Sequence, residues 1–229
     1  LTSEQQCAVD AFEEFLDTPG STVFALLGAA GCGKSYTASH MYDLMESRRK
    51  IYGGEMLWLA PTWKAVHVSG RFLSDREVEF ETRYNPFTHR AGRLILTTTQ
   101  QALGIAPIIT DNQNEEDREF GKENAGVIIN IRPKYIVIDE VSMLSRDGLL
   151  EIASTAKSTG AKVLMIGDPN QLPPVNEKEI RWSGIKNKHE LANVMRQSGD
   201  SVIPLVGQAI RNKEAWRNRS AKEPTCYRC

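Results

Sequence analysis

The sequence predicts an α/β fold: a mostly parallel sheet with helices on both faces and one small insertion. Three observations predict it. Short, continuous apolar runs recur along the chain, as in strands buried on both faces. Segments whose apolar residues fall at helical spacing separate those runs. A glycine-rich turn, residues 28–35, joins the first run to the next helical segment. Strands that alternate with helices pair in parallel, because each crossover returns the chain to the same end of the sheet.

The elements follow in order. In residues 3–17, Ala8, Phe12, Phe15 and Leu16 share one helical face, and Pro19-Gly20 ends the segment. "STVFALLG" (21–28) reads as the first buried strand, and 34–47 as a helix with Met41, Leu44 and Met45 on one face. "EMLWLA" (55–60) is a second strand and 62–73 a second helix. "RLILTT" (93–98) is a third strand, followed by a short helical turn. "YIVID" (135–139) and "KVLMIG" (162–167) are two more strands, with a helix near 146–158 between them. The last helix candidate is 200–212. Two segments break the rhythm. Residues 74–92 are charged and include Tyr84, Phe87 and His89; residues 107–130 contain "TDNQNEEDREFGKEN" and are polar and acidic. Each reads as a solvated insertion, and loops this long are usually functional or mobile.

The 229 residues, 41% hydrophobic and 25% charged, are enough for one large domain with an ordinary core. A net charge of −1 leaves any nucleic-acid surface to a local patch. Four cysteines are too sparse for a disulfide framework, so a reducing compartment such as the cytoplasm is expected. No apolar run reaches the roughly 18–20 residues of a membrane helix, and no signal-peptide pattern opens the sequence.

"GAAGCGKS" fits G-x-x-x-x-G-K-[ST], the P-loop, at Gly28, Gly33, Lys34 and Ser35. Ala29, Ala30, Gly31 and Cys32 fill the loop and Tyr36 follows it. Backbone N–H groups here curl around phosphate oxygens, and the helix N-terminus adds about half a positive charge. Lys34 would reach the β- and γ-phosphates of ATP, and Ser35 would ligate Mg²⁺. Cys32 has no role of its own in this reading. The clamp also needs a carboxylate for the metal. Asp139, closing the apolar "YIVID" strand, is placed to hold Mg²⁺ through water, and Glu140 to act as general base.

The blocks "LTSEQQCAV", "GAAGCGKS", "LAPTWKAV", "TTTQQALG", "VIDEVSM", "IGDPNQLPPV" and "VMRQ" come in the order seen in superfamily 1 DNA helicases. The chain resembles the RecD and Dda branch most, from residue 1 to about 212. The resemblance implies a RecA-like ATP-binding motor domain over 1–212 that moves 5′ to 3′ on single-stranded DNA, and a tail over 213–229. It gives Gln5 the reading of adenine, whose N6 and N7 suit a glutamine amide. Thr2-x-x-Gln5 is equally a helix capping box. Gln171 and Asp168 match the block that senses the γ-phosphate, with Pro173 and Pro174 stiffening its loop. Arg196 matches an arginine that touches the γ-phosphate. Pro61, Thr62 and Lys64 match a DNA-contacting block, and Thr98 another backbone contact.

The pattern departs at two positions. Trp63 replaces a small residue, and packing within the domain is preferred for it over stacking on a base. Gln100 stands where many relatives have histidine. The insertion at 107–130 falls where this branch carries a strand-separating pin, with Phe120 as the candidate wedge. Only 33 residues follow Arg196, and a second RecA-like domain needs about 100 or more, so that partner domain is expected to be absent from this chain. On that reading the chain alone binds nucleotide, hydrolyses it slowly and does not unwind. Cys226-x-x-Cys229 lacks the second ligand pair of a zinc site nearby. Two rivals remain: a stand-alone P-loop ATPase switch, and an interaction module without turnover, against which the intact Lys34, Asp139 and Glu140 argue.

Overall fold

Helix α1 (Ser3–Asp17) begins at a capping box. Thr2 Oγ accepts the Gln5 N–H at 3.2 Å, and the Gln5 side-chain oxygen accepts the Thr2 N–H at 2.9 Å. The predicted stripe, Ala8, Phe12, Phe15 and Leu16, is its buried face. At its other end Lys162 Nζ donates to the carbonyls of Phe15 and Thr18, and of Ser21 beyond the helix, tying down the exit from α1. The computed structural model describes residues 1–82, 94–107, 120–122, 126–171 and 182–192, with backbone alone at 106–107 and 120–122.

The order continues with β1 (Val23–Gly28), α2 (Lys34–Tyr52), β2 (Met56–Ala60), α3 (Trp63–Ser74), β3 (Phe80–Glu81) and β4 (Leu94–Thr98). Then come α4 (Thr99–Leu103), β5 (Ile105–Pro107), β6 (Phe120–Lys122), α5 (Gly126–Ile131) and β7 (Tyr135–Ile138). Last among the described elements are α6 (Arg146–Thr159), β8 (Lys162–Gly167) and β9 (Asn187–Leu191). Seven strands form one sheet in the order β3-β4-β2-β7-β8-β1-β9, and every described pairing in it is parallel. The predicted α/β class is therefore the observed one.

Two cores sandwich this sheet, because successive strand residues point to opposite faces. Along β1, Phe24 and Leu26 join Phe12, Met41, Met45, Val66 and Leu73 from α1, α2 and α3. Ala25 and Leu27 join Ala102, Leu103, Ile128, Ile152 and Ala156 from α4, α5 and α6 on the other side. Strands buried on both faces favour apolar residues along their length, which is why β2 and β7 read as unbroken apolar runs and β4 departs only at Thr97 and Thr98.

Within the segment expected to be an insertion, β5 and β6 pair antiparallel, with Pro107 opposite Phe120. Helix α5, also in that segment, buries Ile128 in the second core. Tyr84, Phe87, His89, Pro173, Pro174, Arg196, the helix candidate 200–212, Cys226 and Cys229 lie outside the described residues. No helix among the described residues is long and apolar enough to cross a membrane.

Parallel pairing puts the C-terminal ends of all seven strands at one edge. The segments after β1, β2, β4, β7 and β8 therefore meet there: residues 28–35, 61–64, 98–100, 139–140 and 168–171. In an open parallel sheet this edge is where ligands bind.

Candidate active site

The loop from Gly28 to Ser35 is shaped by its neighbours. A side chain at Gly28 would meet Cys32 Sγ at 2.6 Å and the Leu191 carbonyl oxygen at 2.7 Å. Gly33 takes φ +86°, a left-handed conformation that L side chains rarely adopt, and any Cβ there would run into Gln5 Nε2. The two readings of Gln5 are thus compatible. Its oxygen is engaged by Thr2 in the capping box, and its amide nitrogen lies against the phosphate loop.

Gly33 is also the N-cap of the 19-residue α2, and it brings no side-chain cap. The first-turn N–H groups of α2 are left for an anion. Lys34 Nζ donates to the carbonyls of Gly28 at 2.7 Å and Ala29 at 2.8 Å, so the ammonium sits inside the curl of the loop. Ala29 and Cys32 are buried, Gly31 is half-buried, and Ala30, Ser35 and Tyr36 are exposed. Burial pushes the Cys32 thiol up, with the Lys34 ammonium pulling the other way. The Tyr36 ring meets the His40 imidazole edge to face at 5.0 Å.

Asp139 directly follows β7, and its N–H donates to the Leu59 carbonyl at 2.8 Å, fixing the carboxylate at the strand edge. One carboxylate oxygen accepts the Glu140 N–H at 2.9 Å and the other accepts Ser69 Oγ at 3.3 Å. Burial, and next the Glu140 carboxylate, hold the Asp139 carboxyl above the usual range. The Glu140 N–H, Ser69 and Lys34 pull it back. Glu140 itself has φ +48°, a left-handed backbone that is uncommon for a residue with a side chain. The Ser35 hydroxyl and the Asp139 carboxylate are hard oxygen donors of the kind Mg²⁺ takes, with waters and phosphate oxygens completing the shell. No group of three or more His, Cys, Asp or Glu able to hold a metal ion occurs among the described residues.

The segment after β8 is tied to the segment after β7 through one side chain. Ser142 Oγ donates to the Asp168 carbonyl at 2.8 Å and accepts the Asp168 N–H at 3.2 Å. Asp168 is buried, and its side chain accepts the Asn170 N–H at 2.9 Å, turning the chain so that the Gln171 N–H reaches the Asp168 carbonyl. Gln171 is exposed at the edge.

Along the same edge Thr62 caps α3, its hydroxyl oxygen accepting the Ala65 N–H at 3.2 Å. Thr98 does the same for α4 with the Gln101 N–H at 3.3 Å, but Thr98 is buried, whereas Thr62 and Lys64 are exposed and Pro61 is half-buried. Gln100 is exposed. Trp63 departs from the expected packing: it is 40% exposed, because the buried stripe of α3 runs through Val66, Ser69, Gly70 and Leu73 instead.

Sequence reasoning missed Ser69 and Ser142. Ser69 carried one usable signal, a hydroxyl on the otherwise apolar face of an amphipathic helix. Ser142 carried only its place three residues after Asp139.

Over residues 1–221 the sequence matches the protein family described as an AAA domain. It is 29% identical to an uncharacterized protein of Acanthamoeba polyphaga mimivirus over 226 residues, covering 93% of this chain and 42% of that protein. It is 28% identical over 217 residues to the ATP-dependent RecD2 DNA helicase of Deinococcus radiodurans, covering 94% of this chain and 24% of the helicase. The fold matches that of a Pif1 helicase from Bacteroides with a TM-score of 0.52 at 22% identity, over 94% of this chain and 47% of that one. The chain thus spans less than half the length of these curated relatives. Matched along nearly its whole length, the chain belongs to this AAA domain family, and its fold is RecA-like, as in that Pif1 helicase.

Proposed function

We propose that the chain binds ATP with Mg²⁺ and hydrolyses it as the motor domain of a DNA helicase acting on single-stranded DNA, moving 5′ to 3′. On this reading residues 1–212 are the motor domain, 107–130 carry a pin and 213–229 are a tail. A second RecA-like domain outside these residues closes over the nucleotide. The observation that carries the reading is the shared sheet edge. It lines up the phosphate loop, the Asp139–Glu140 pair, the Asp168–Gln171 turn and the exposed start of α3.

Each residue then has a task. Lys34 leaves the carbonyls of Gly28 and Ala29 for the β- and γ-phosphates, while the free N–H groups at the start of α2 receive phosphate oxygens. The Gln5 amide nitrogen, already beside Gly33, donates to the adenine edge. Ser35 and, through water, Asp139 would hold Mg²⁺, which when bound offsets charge on the phosphates. Glu140 takes the proton from the attacking water. Gln171 senses the γ-phosphate beside Asp168, and Arg196 steadies the charge that develops on it. Pro61, Thr62, Lys64 and Thr98 hold the DNA backbone.

The test is ATP hydrolysis with and without single-stranded oligonucleotide, at several salt concentrations. DNA should stimulate turnover, the stimulation should weaken as salt rises, and Lys34→Ala should abolish both. Hydrolysis that is lost in Lys34→Ala but ignores DNA would favour a stand-alone ATPase switch. Hydrolysis that survives Lys34→Ala would refute the assignment of the clamp.

A further inference from the structure

The exposed side of α3 carries more than the backbone contacts assigned to its first turn. Trp63 and His67, one helical turn apart, set their rings 6.4 Å apart at an interplanar angle of 41°. Trp63 is 40% exposed and Val68, on the adjoining row, 62% exposed. A tryptophan carries a large apolar area, and Trp63 leaves a substantial part of its own exposed. Two cations share the outward side of the helix. Lys64 and Arg71 have no described ion pair, and the sequence holds no Asp or Glu from residue 56 to residue 74. From Trp63 to Arg71 the helix rises about 12 Å, which gives the face an aromatic platform at one end and a second cation two turns along. The opposite side of the same helix is packed into the core through Val66 and Leu73, so the platform is mounted on a rigid element.

Aromatic side chains interleaved with cations, on a helix that carries no carboxylate of its own, suit a single-stranded polynucleotide. The cations suit its phosphates and the ring suits the face of any base. A protein partner of acidic character would answer to the cations but would not need the open indole. We propose that Trp63, backed by His67, is a stacking platform for one unpaired nucleobase of single-stranded DNA, with Lys64 and Arg71 receiving the flanking phosphates. The inference rests on the DNA-motor reading and adds to it a base contact that tolerates any sequence.

The experiment measures fluorescence anisotropy with labelled oligothymidylate and with an abasic deoxyribose-phosphate oligomer of equal length, at fixed salt. The proteins are the unaltered chain, Trp63→Ala, Trp63→Phe and Lys64→Ala. Trp63→Ala should weaken oligothymidylate binding by about 5- to 150-fold, the range that base–aromatic stacking supports, and leave the abasic oligomer unchanged. Trp63→Phe should fall between, since a smaller ring still stacks. Lys64→Ala should weaken both oligomers in similar proportion. Matching thermal melts would show that Trp63→Ala remains folded, as its exposure leads one to expect. Equal losses on both oligomers, or no loss on either, would overturn the platform while leaving the motor reading intact. Failure of the unaltered chain to bind either oligomer would sink both.

Discussion

At the residue scale the site holds a group whose backbone and chemistry pull apart. Glu140 stands at φ +48°, and a left-handed non-glycine residue costs on the order of 1–3 kcal/mol when the surroundings impose it. The strain falls on the residue assigned as general base, directly after the carboxylate assigned to the metal. Two substitutions separate the effects. Glu140→Gln keeps the shape and removes the base, so turnover should fall by about 10²- to 10⁴-fold with nucleotide affinity retained. Glu140→Gly should be equally inactive yet more stable, by about 1 kcal/mol, because glycine adopts this conformation freely. A melting temperature that fails to rise in the glycine variant would mean the backbone is not strained. Gly33 shows the converse. Gly33→Ala should both strain φ +86° and collide with Gln5 Nε2, so nucleotide binding should be lost in a titration calorimetry experiment. Adding Gln5→Ala should relieve the collision and not the strain. Affinity in the double variant equal to that of Gln5→Ala alone would show that the left-handed backbone at Gly33 carries no cost.

At the scale of elements, what the sequence revealed depended on how completely each strand is buried. β1, β2, β4, β7 and β8 lie within one or two residues of the apolar runs that predict them, since burial on both faces selects apolar residues at nearly every position. β9 went unread. Among the described strands "NKHEL" pairs with β1 alone, and its residues alternate between half-buried and exposed until Leu191. Two-residue β3 and the three-residue strands β5 and β6 are too short to establish any period. The candidate site divides in the same way. A P-loop is legible because its backbone demands fixed residue types at fixed spacing, whereas Ser69 and Ser142 act only through contacts that folding creates. Packing between elements also yields a pH test. Tyr42 of α2 lies under Trp58 of β2, ring centroids 6.0 Å apart, and burial, helped by the Glu46 carboxylate, pushes its phenol well above the ordinary range. The unfolded chain therefore releases this proton near pH 10 while the folded chain keeps it. Stability from this source is complete below that pH and is lost as pH rises beyond it. Denaturant unfolding at pH 9 to 11 should show a steeper alkaline decline for the unaltered chain than for Tyr42→Phe. Parallel declines would remove Tyr42 as the cause.

At the scale of the whole molecule, the proposed DNA face and the proposed metal carboxylate are opposite sides of one helix. α3 presents Trp63, Lys64 and Arg71 outward, and from its buried face Ser69 Oγ reaches Asp139 at 3.3 Å. Asp139 belongs to the same short segment as Ser142, and Ser142 holds the Asp168 turn on both its N–H and its carbonyl. Helix α3 and the segments after β7 and β8 are thus joined by two hydroxyl groups, so on the proposed reading a shift of α3 under a bound polyanion would change the setting of the nucleotide site. Linkage requires the effect to run both ways with one coupling factor. Oligonucleotide should tighten the binding of a non-hydrolysable ATP analogue, and the analogue should tighten the oligonucleotide to the same degree, by about 5- to 150-fold if the coupling is of ordinary size. Ser69→Ala leaves the outward face of α3 untouched and removes the hydroxyl from Asp139. The coupling factor should then fall toward one while oligonucleotide affinity in the absence of nucleotide stays close to its starting value. Ser69→Thr, which restores a hydroxyl at the same position, should recover part of it. A factor that is unchanged in Ser69→Ala would place the route between the two sites elsewhere in the sheet edge.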